Sequence, residues 1–238
     1  MGERRILLLQ VRDDQQAEDQ ERRCFLRCCR LADDELVTWN VVARPRLSWA
    51  DARDAEALFV GGAGEHSATH EYPFTPHMSD VVRRWLDEQR PFFGSCFGHH
   101  FVAAHLGGEV TVDPRSEEVG TFDVTLTEVG CSDPLFGRLP RRFPAQLGHH
   151  DRVATLPPGA EALAHSDLCA NQAIRLSGAA YTTQFHPEMD VADMRERLLI
   201  YSDGYLGSDE RFARVERCLR PSTESEELLR RFIELFCA

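Results

Sequence analysis

The chain has 238 residues, of which 42% are hydrophobic and 28% are charged, a composition typical of a globular protein and not of a disordered one. Its 27 basic and 39 acidic residues leave a formal charge of −12, which argues against a nucleic-acid partner because backbone phosphates would be repelled. All 27 basic residues are arginines, so mechanisms that need a P-loop lysine or a lysine Schiff base are excluded.

The sequence predicts neither a membrane span nor a secretory signal. No apolar run approaches the roughly 20 residues that cross a bilayer, and the run at 6–9 is too short for the core of a signal peptide. We therefore expect a cytoplasmic protein without a membrane partner, in which most of the eight cysteines are free thiols.

Three of these cysteines, Cys24, Cys28 and Cys29, share one face of a predicted helix, which favours a role in the hydrophobic core. Metal binding by these thiols, or by His66 and His70, is the alternative. The sequence lacks paired C-x-x-C units and the H-E-x-x-H pattern that would support it. We predict no metal and no cofactor.

The first half of the chain alternates strands and helices. The predicted elements are a strand at Arg5–Val11, a helix at Gln15–Leu31, strands at Val37–Ala43 and Ala57–Val60, a helix around Trp85 capped by Ser79, and a strand at Pro91–Ser95. Apolar strands that alternate with helices are typical of a parallel sheet covered on both faces. The prediction is a doubly wound, mainly parallel α/β fold with helices on both faces of the sheet.

The second half has a different pattern. Short strands are predicted at Val119–Val129, Gln172–Leu176 and Ala180–Phe185, which indicates a small mixed or antiparallel β region. The segment Tyr201–Pro221 is interpreted either as a surface connection or as a lid, and a last helix is expected after a capping box of Thr223 and Glu226. Residues 1–238 contain no repeat or flexible linker, so we expect one domain.

The strongest local signal for chemistry is a nucleophile-elbow pattern around Cys96. An apolar strand runs into Gly94-Ser95-Cys96-Phe97-Gly98, and a helix follows. Glycines two residues before and after the nucleophile allow so tight a turn, and the helix N-terminus favours the thiolate form of the cysteine. The alternative is a buried structural cysteine in an ordinary β-α turn.

Further along, a predicted strand ends in His186-Pro187-Glu188. A histidine within reach of the thiol can take its proton and later protonate a leaving amine, while a carboxylate fixes the imidazole. Cys96, His186 and Glu188 thus form a complete candidate triad. The glycine-rich turn at 61–64 can supply a second backbone N–H for an oxyanion beside that of Phe97, and as a dinucleotide-binding motif it lacks the third glycine.

With these motifs the sequence resembles the class I, triad-type, glutamine amidotransferases. The resemblance rests on four ordered blocks that together span most of the chain: Leu58–Gly64, Gly94–His100, Gly148–Val153 and Thr182–Glu188. It is closest to the GMP-synthetase-like branch and to stand-alone gamma-glutamyl peptidases, in which a His-x-Asp segment precedes a turn like that at Leu156–Gly159.

The resemblance implies a flavodoxin-like sheet and a gamma-glutamyl thioester on Cys96. By the same resemblance, His186 serves as base and acid, and Glu188 orients His186. The amides of Gly62 and Phe97 form the oxyanion hole.

Four further residues are predicted to bind substrate: His100, His149, His150 and Asp151. The family usually carries glutamine at the position of His100, and its GMP synthetases carry glycine at that of His150. The two imidazoles either bind a carboxylate of a larger gamma-glutamyl compound or are tolerated neighbours, and glutamine itself is not assured as the substrate.

Three functions follow for this site. The favoured one is cysteine-dependent hydrolysis of a gamma-glutamyl amide, a small-molecule substrate, by a stand-alone amidase. The second is a glutaminase subunit that supplies ammonia to a separate synthase partner. The third is a catalytically silent binding module that retains the fold.

Overall fold

The computed structural model describes residues 4–201 and 208–237. In its first half, helices and strands alternate: β1 (Ile6–Val11), α1 (Gln15–Cys29), β2 (Leu36–Asn40), α2 (Trp49–Ala52), β3 (Ala57–Ala63), α3 (Thr75–Asp87), β4 (Phe92–Ser95) and α4 (Phe97–His105). The order of these elements confirms the predicted alternation.

Strands dominate the second half, which ends in helices. The elements are β5 (Glu109–Val112), β6 (Glu118–Leu126), α5 (Glu128–Ser132), β7 (Arg142–His149), β8 (Asp151–Thr155), β9 (Glu161–His165), β10 (Ala173–Ser177), β11 (Ala180–Thr183), α6 (Val191–Ile200), α7 (Asp209–Cys218) and α8 (Thr223–Phe236). Within the segment interpreted as a connection or lid, 209–218 are thus helical, and 202–207 lie outside the described residues.

The main sheet is flavodoxin-like and has the order β2-β1-β3-β4-β11-β10-β9-β6-β7. The strands from β2 to β11 are parallel, whereas β10, β9, β6 and β7 pair antiparallel and extend the same sheet. Strands β5 and β8 form a separate antiparallel pair. The predicted antiparallel region is present, and most of it continues the main sheet.

Both faces of the parallel strands are buried, which explains their continuous apolar sequences. On one face, Phe25 of α1 and Phe232 of α8 pack against Phe59, their ring centroids 5.7 and 5.5 Å from it. On the other face, Trp85 of α3 belongs to the core that includes Val60.

The cysteines of α1 belong to the core, as predicted. Cys24, Cys28 and Cys29 are buried and unpaired by disulfides. Burial raises the pKa of Cys28 to about 12, so its thiol stays neutral and packs as a small apolar group.

Two predicted helix starts are wrong. Helix α3 begins four residues before Ser79, which lies within it, because Pro76 fits the first turn. Helix α8 begins after Ser222, which is its N-cap residue, so Thr223 is already helical and no Thr223–Glu226 capping box forms. Ser222 instead donates its hydroxyl proton to Glu226, at 3.1 Å. Of the helices in the described part of the chain, none is long and apolar enough to span a membrane.

Candidate active site

Cys96 occupies a strained turn between β4 and α4. Its φ of 49° lies in the positive region that side chains rarely adopt. A Cβ at Gly94 would lie 2.9 Å from the backbone of Gly98, and one at Gly98 would lie 2.5 Å from the carbonyl oxygen of Val60. Both glycines are therefore required by close backbone packing. The turn places Cys96 at the N-terminus of α4.

The parallel pairing of β11 with β4 brings the second motif to the same sheet edge. Thr183, the last residue of β11, pairs with Ser95 of β4. Just beyond that strand end, His186 Nδ1 lies 2.6 Å from Glu188 Oε1, and both residues are buried. Ser95 Oγ donates to the other carboxylate oxygen of Glu188 at 2.8 Å. The carboxylate is therefore held by both neighbours.

The electrostatics of this pair favour an imidazolium. Burial lowers the pKa of His186, but the charge of Glu188, the charge of Cys96 and hydrogen bonds with both residues outweigh it and raise the pKa to about 9. Burial raises the pKa of Glu188, and its interaction with His186 outweighs that effect and lowers it. The three predicted triad residues thus lie together, with His186 hydrogen-bonded to both Cys96 and Glu188.

A cavity of about 340 Å³ opens onto Cys96. The predicted site residues that line it are Cys96, Phe97, His100, His149, His150 and Asp151, and Gly62 does not belong to the lining. Phe97 is the first residue of α4, so its N–H has no acceptor within the helix and is available at the site.

His100 is buried against Gln184, a residue that was not predicted to belong to the site. His100 Nε2 lies 2.7 Å from Gln184 Oε1, and Gln184 Nε2 lies 3.9 Å from Cys96 Sγ. Burial lowers the pKa of His100 to about 4, although Asp151 opposes this shift, so the imidazole is neutral at neutral pH. His100 therefore lines the cavity with its ring fixed by Gln184, which in turn contacts Cys96.

The ring of His149 is fixed at both nitrogens. Nδ1 lies 2.8 Å from the carbonyl oxygen of Asp151, and Nε2 lies 3.0 Å from the buried carboxylate of Glu118. The preceding carbonyl, that of Gly148, is 3.8 Å from Cys96 Sγ. Glu118 is a second residue that sequence reasoning missed, since nothing local in the sequence indicates its pairing with a histidine on the neighbouring strand.

The other two predicted binding residues differ in exposure. His150 is partly exposed, with Nδ1 2.9 Å from Glu117, and burial lowers its pKa. Asp151 is buried and accepts a hydrogen bond from Ser67 at 2.5 Å. Both residues line the cavity beside Cys96.

The Gly62 amide is arranged differently from the sequence expectation. Its N–H donates to Glu21 Oε1 at 3.1 Å, and Glu21 is buried and is not among the residues that line the cavity. In this structure, therefore, the amide assigned to an oxyanion hole is bound by a buried carboxylate.

No metal site accompanies this arrangement. Within residues 4–201 and 208–237, no group of three or more His, Cys, Asp or Glu side chains is placed to hold a metal ion.

Known proteins have similar sequences. The family model described as glutamine amidotransferase class-I matches residues 30–201. The chain is 37% identical over 105 residues to a subunit of the glutamine-hydrolyzing GMP synthase of Methanocaldococcus jannaschii, covering 44% of this chain and 54% of that protein. A Saccharomyces cerevisiae protein, whose name describes a glutamine amidotransferase, is 30% identical over 176 residues, 73% of this chain and 68% of the yeast protein.

The archaeal matches are partial. The chain spans only 54% of the length of the M. jannaschii protein and 60% of its counterpart from Thermococcus kodakarensis.

Solved structures resemble the fold over nearly its whole length. A glutamine amidotransferase from Thermotoga maritima superposes with a TM-score of 0.80 at 22% identity, covering 99% of both chains. One from Methylobacillus flagellatus gives 0.75 at 22% identity, covering 98% of this chain and 95% of that one. At such identity these structures establish the fold alone.

Proposed function

The chain belongs to the glutamine amidotransferase class-I family, and from that premise we propose that it hydrolyses the side-chain amide of glutamine or of a gamma-glutamyl amide through a thioester on Cys96. The observation that carries the proposal is the position of Cys96. It sits in a strained turn at a helix N-terminus, faces a cavity, and adjoins a buried His186–Glu188 pair.

In the proposed first step, the Cys96 thiolate attacks the amide carbonyl carbon and forms the C–S bond. His186 holds the thiol proton and delivers it to the leaving nitrogen as the C–N bond breaks, releasing ammonia or an amine. Water, deprotonated by His186, then cleaves the thioester and restores the thiol. Glu188 stabilises the imidazolium in both steps and keeps its orientation.

The developing oxyanion requires donors at the cavity. The N–H of Phe97 meets this need at the N-terminus of α4. Gly62 becomes the second donor once its N–H leaves Glu21.

The cavity lining suits a gamma-glutamyl group. In this proposal the carboxylate of Asp151 binds the α-ammonium group of the substrate, and His150 meets its α-carboxylate; both residues line the cavity. His149 and His100 act as fixed walls, because their rings are already bonded to protein partners.

A second candidate function is supply of ammonia to a separate synthase. It is favoured by the engagement of the Gly62 amide with Glu21, which leaves the oxyanion site with one amide fewer in the isolated chain. The similarity to proteins named as subunits of GMP synthase supports it. In this case activity would rise when a partner binds.

The experiment is to measure release of glutamate from glutamine and from a panel of gamma-glutamyl amides and peptides, with Cys96→Ala as the control. Turnover that depends on Cys96 supports the hydrolase. Negligible turnover with Cys96 still labelled by a chloroketone analogue of glutamine supports partner-dependent glutaminase activity. A Cys96 that neither turns over substrate nor reacts refutes both and leaves a binding module.

A further inference from the structure

A buried carboxylate lies beside Gly62, near the end of strand β3. Glu21, on α1, is fully buried and accepts three hydrogen bonds. Its Oε1 accepts from Arg12 Nη2 at 2.6 Å and from the Gly62 N–H at 3.1 Å, and its Oε2 accepts from Gln10 Nε2 at 3.1 Å. Arg12 is also fully enclosed, with a side-chain exposure of 0%. An ion pair so deeply buried is costly to form and invites a functional explanation.

This part of β3 has no side chains, because residues 61 and 62 are both glycines. A Cβ on Gly61 would lie 2.5 Å from Glu21 Oε1, and a Cβ on Gly62 would lie 3.0 Å from His186 Cε1. Gly61 therefore packs against the Glu21 carboxylate, and Gly62 packs against both the His186 imidazole and Arg12 Nη2, which would lie 3.1 Å from its Cβ. Because neither residue has a side chain, the Gly62 peptide can interact with either side.

We propose that Glu21 is a positioning residue for the end of β3: it holds the Gly62 N–H away from Cys96. Acyl transfer then requires the Gly62 N–H to exchange its acceptor, from Glu21 to the substrate oxyanion. The inference rests on the proposed function, since it concerns the oxyanion of the same reaction.

The exchange is chemically balanced. When the Gly62 N–H turns away, Glu21 keeps Arg12 and Gln10 as donors, so no buried carboxylate is left unpaired. The N–H in turn passes from one anionic acceptor to another. The strength of the bond to Glu21 therefore sets how readily the oxyanion site is completed.

Graded removal of the acceptor tests this role. Arg12→Met with Glu21→Gln keeps a neutral acceptor in place, and Arg12→Met with Glu21→Met removes it. Both replace the ion pair by neutral groups of similar size, a change that buried pairs often tolerate. The matched control is Arg23→Met with Glu196→Met, which removes an exposed ion pair between the same helix and α6.

We expect kcat to rise in the order wild type, glutamine variant, methionine variant, by about tenfold overall, with KM nearly constant. The gain must stay below the roughly 10²–10³-fold that one oxyanion donor supplies. Alkylation of Cys96 by iodoacetamide, which forms no oxyanion, should be the same in all proteins. The control pair should leave kcat unchanged.

A measurement on the wild-type protein covers the case in which the double variants do not fold. A chloroketone analogue of glutamine leaves a carbonyl oxygen near the oxyanion position, so the ¹H–¹⁵N resonance of Gly62 should move strongly when Cys96 is labelled. An unmoved Gly62 resonance overturns the proposal, as does a folded methionine variant whose kcat is equal to or below that of the wild type. Absence both of turnover and of Cys96 labelling by the chloroketone, in the wild type and every variant, instead refutes the proposed function, and this inference with it.

Discussion

Glu188→Gln tests the electrostatic core of the site. The amide introduced by this change can still accept from the His186 N–H and can donate to Ser95 Oγ, so the geometry is retained while the charge is lost. The charge of Glu188 is the leading influence that raises the pKa of His186 to about 9. At pH 7.5 this pKa keeps roughly 97% of the imidazole protonated, whereas the ordinary value near 6.5 would leave roughly 10%.

His186 also interacts with Cys96, so the loss of positive charge on the imidazole should slow reactions of the Cys96 sulfur. We expect alkylation of Cys96 by iodoacetamide at pH 7.5 to slow by about tenfold in Glu188→Gln. The rate should be followed from pH 5 to 10 by mass spectrometry of the Cys96 peptide, because other thiols are present. Glu196→Gln, a surface change of the same chemistry, is the control.

The same shift links folding to pH. Because the pKa of folded His186 lies above its unfolded value, its contribution to stability is complete below about pH 6.5 and is lost as pH rises through about 9. The expected contribution is on the order of 3 kcal/mol, and Glu188→Gln should remove most of it.

Superimposable alkylation profiles for Glu188→Gln and wild type would refute the assignment of Glu188.

Four further substitutions test the packing of the fold and the binding of substrate. Gly98→Ala should destabilise the fold by about 1–3 kcal/mol in urea titration and reduce Cys96-dependent turnover, because its Cβ would lie 2.5 Å from the Val60 carbonyl oxygen. Phe232→Ala should cost about 3–5 kcal/mol of unfolding free energy, since its ring is fully buried, and should leave KM unchanged. Asp151→Asn should raise KM about tenfold with kcat largely kept, and Ser67→Ala, which removes its hydrogen-bond partner, should have a smaller effect.

The features predicted from the sequence are those determined by local geometry. The turn at Cys96 requires glycine at positions 94 and 98, because a Cβ at either would clash with nearby backbone. Both positions lie within two residues of Cys96, so the pattern can be recognised in the sequence. The same holds for His186 and Glu188, which a strand end delivers two residues apart. The alternating half of the fold was predictable for a similar reason, because buried parallel strands have continuous apolar sequences.

The missed features depend on long-range pairing. Glu21 meets Gly62 across 41 positions, and Glu118 meets His149 across 31, and no periodicity links either pair. Helix starts failed where several residues could serve as caps: Ser79 has the chemistry of an N-cap, but it lies one turn inside a helix that Pro76 helps to begin.

Two buried carboxylates, those of Glu188 and Glu21, have different roles in the proposed reaction. Glu188 raises the pKa of His186 and holds its imidazole in place before any substrate arrives. Glu21 binds the Gly62 N–H, which the proposed acyl transfer would need as an oxyanion donor. Reactivity of Cys96 toward an alkylating agent and turnover of an amide are therefore separable properties in this chain. We expect the resting protein to be alkylated rapidly at Cys96 and to turn over amide substrates slowly. It would become an efficient amidase only when the binding of substrate or of a partner exchanges the hydrogen bond at Gly62.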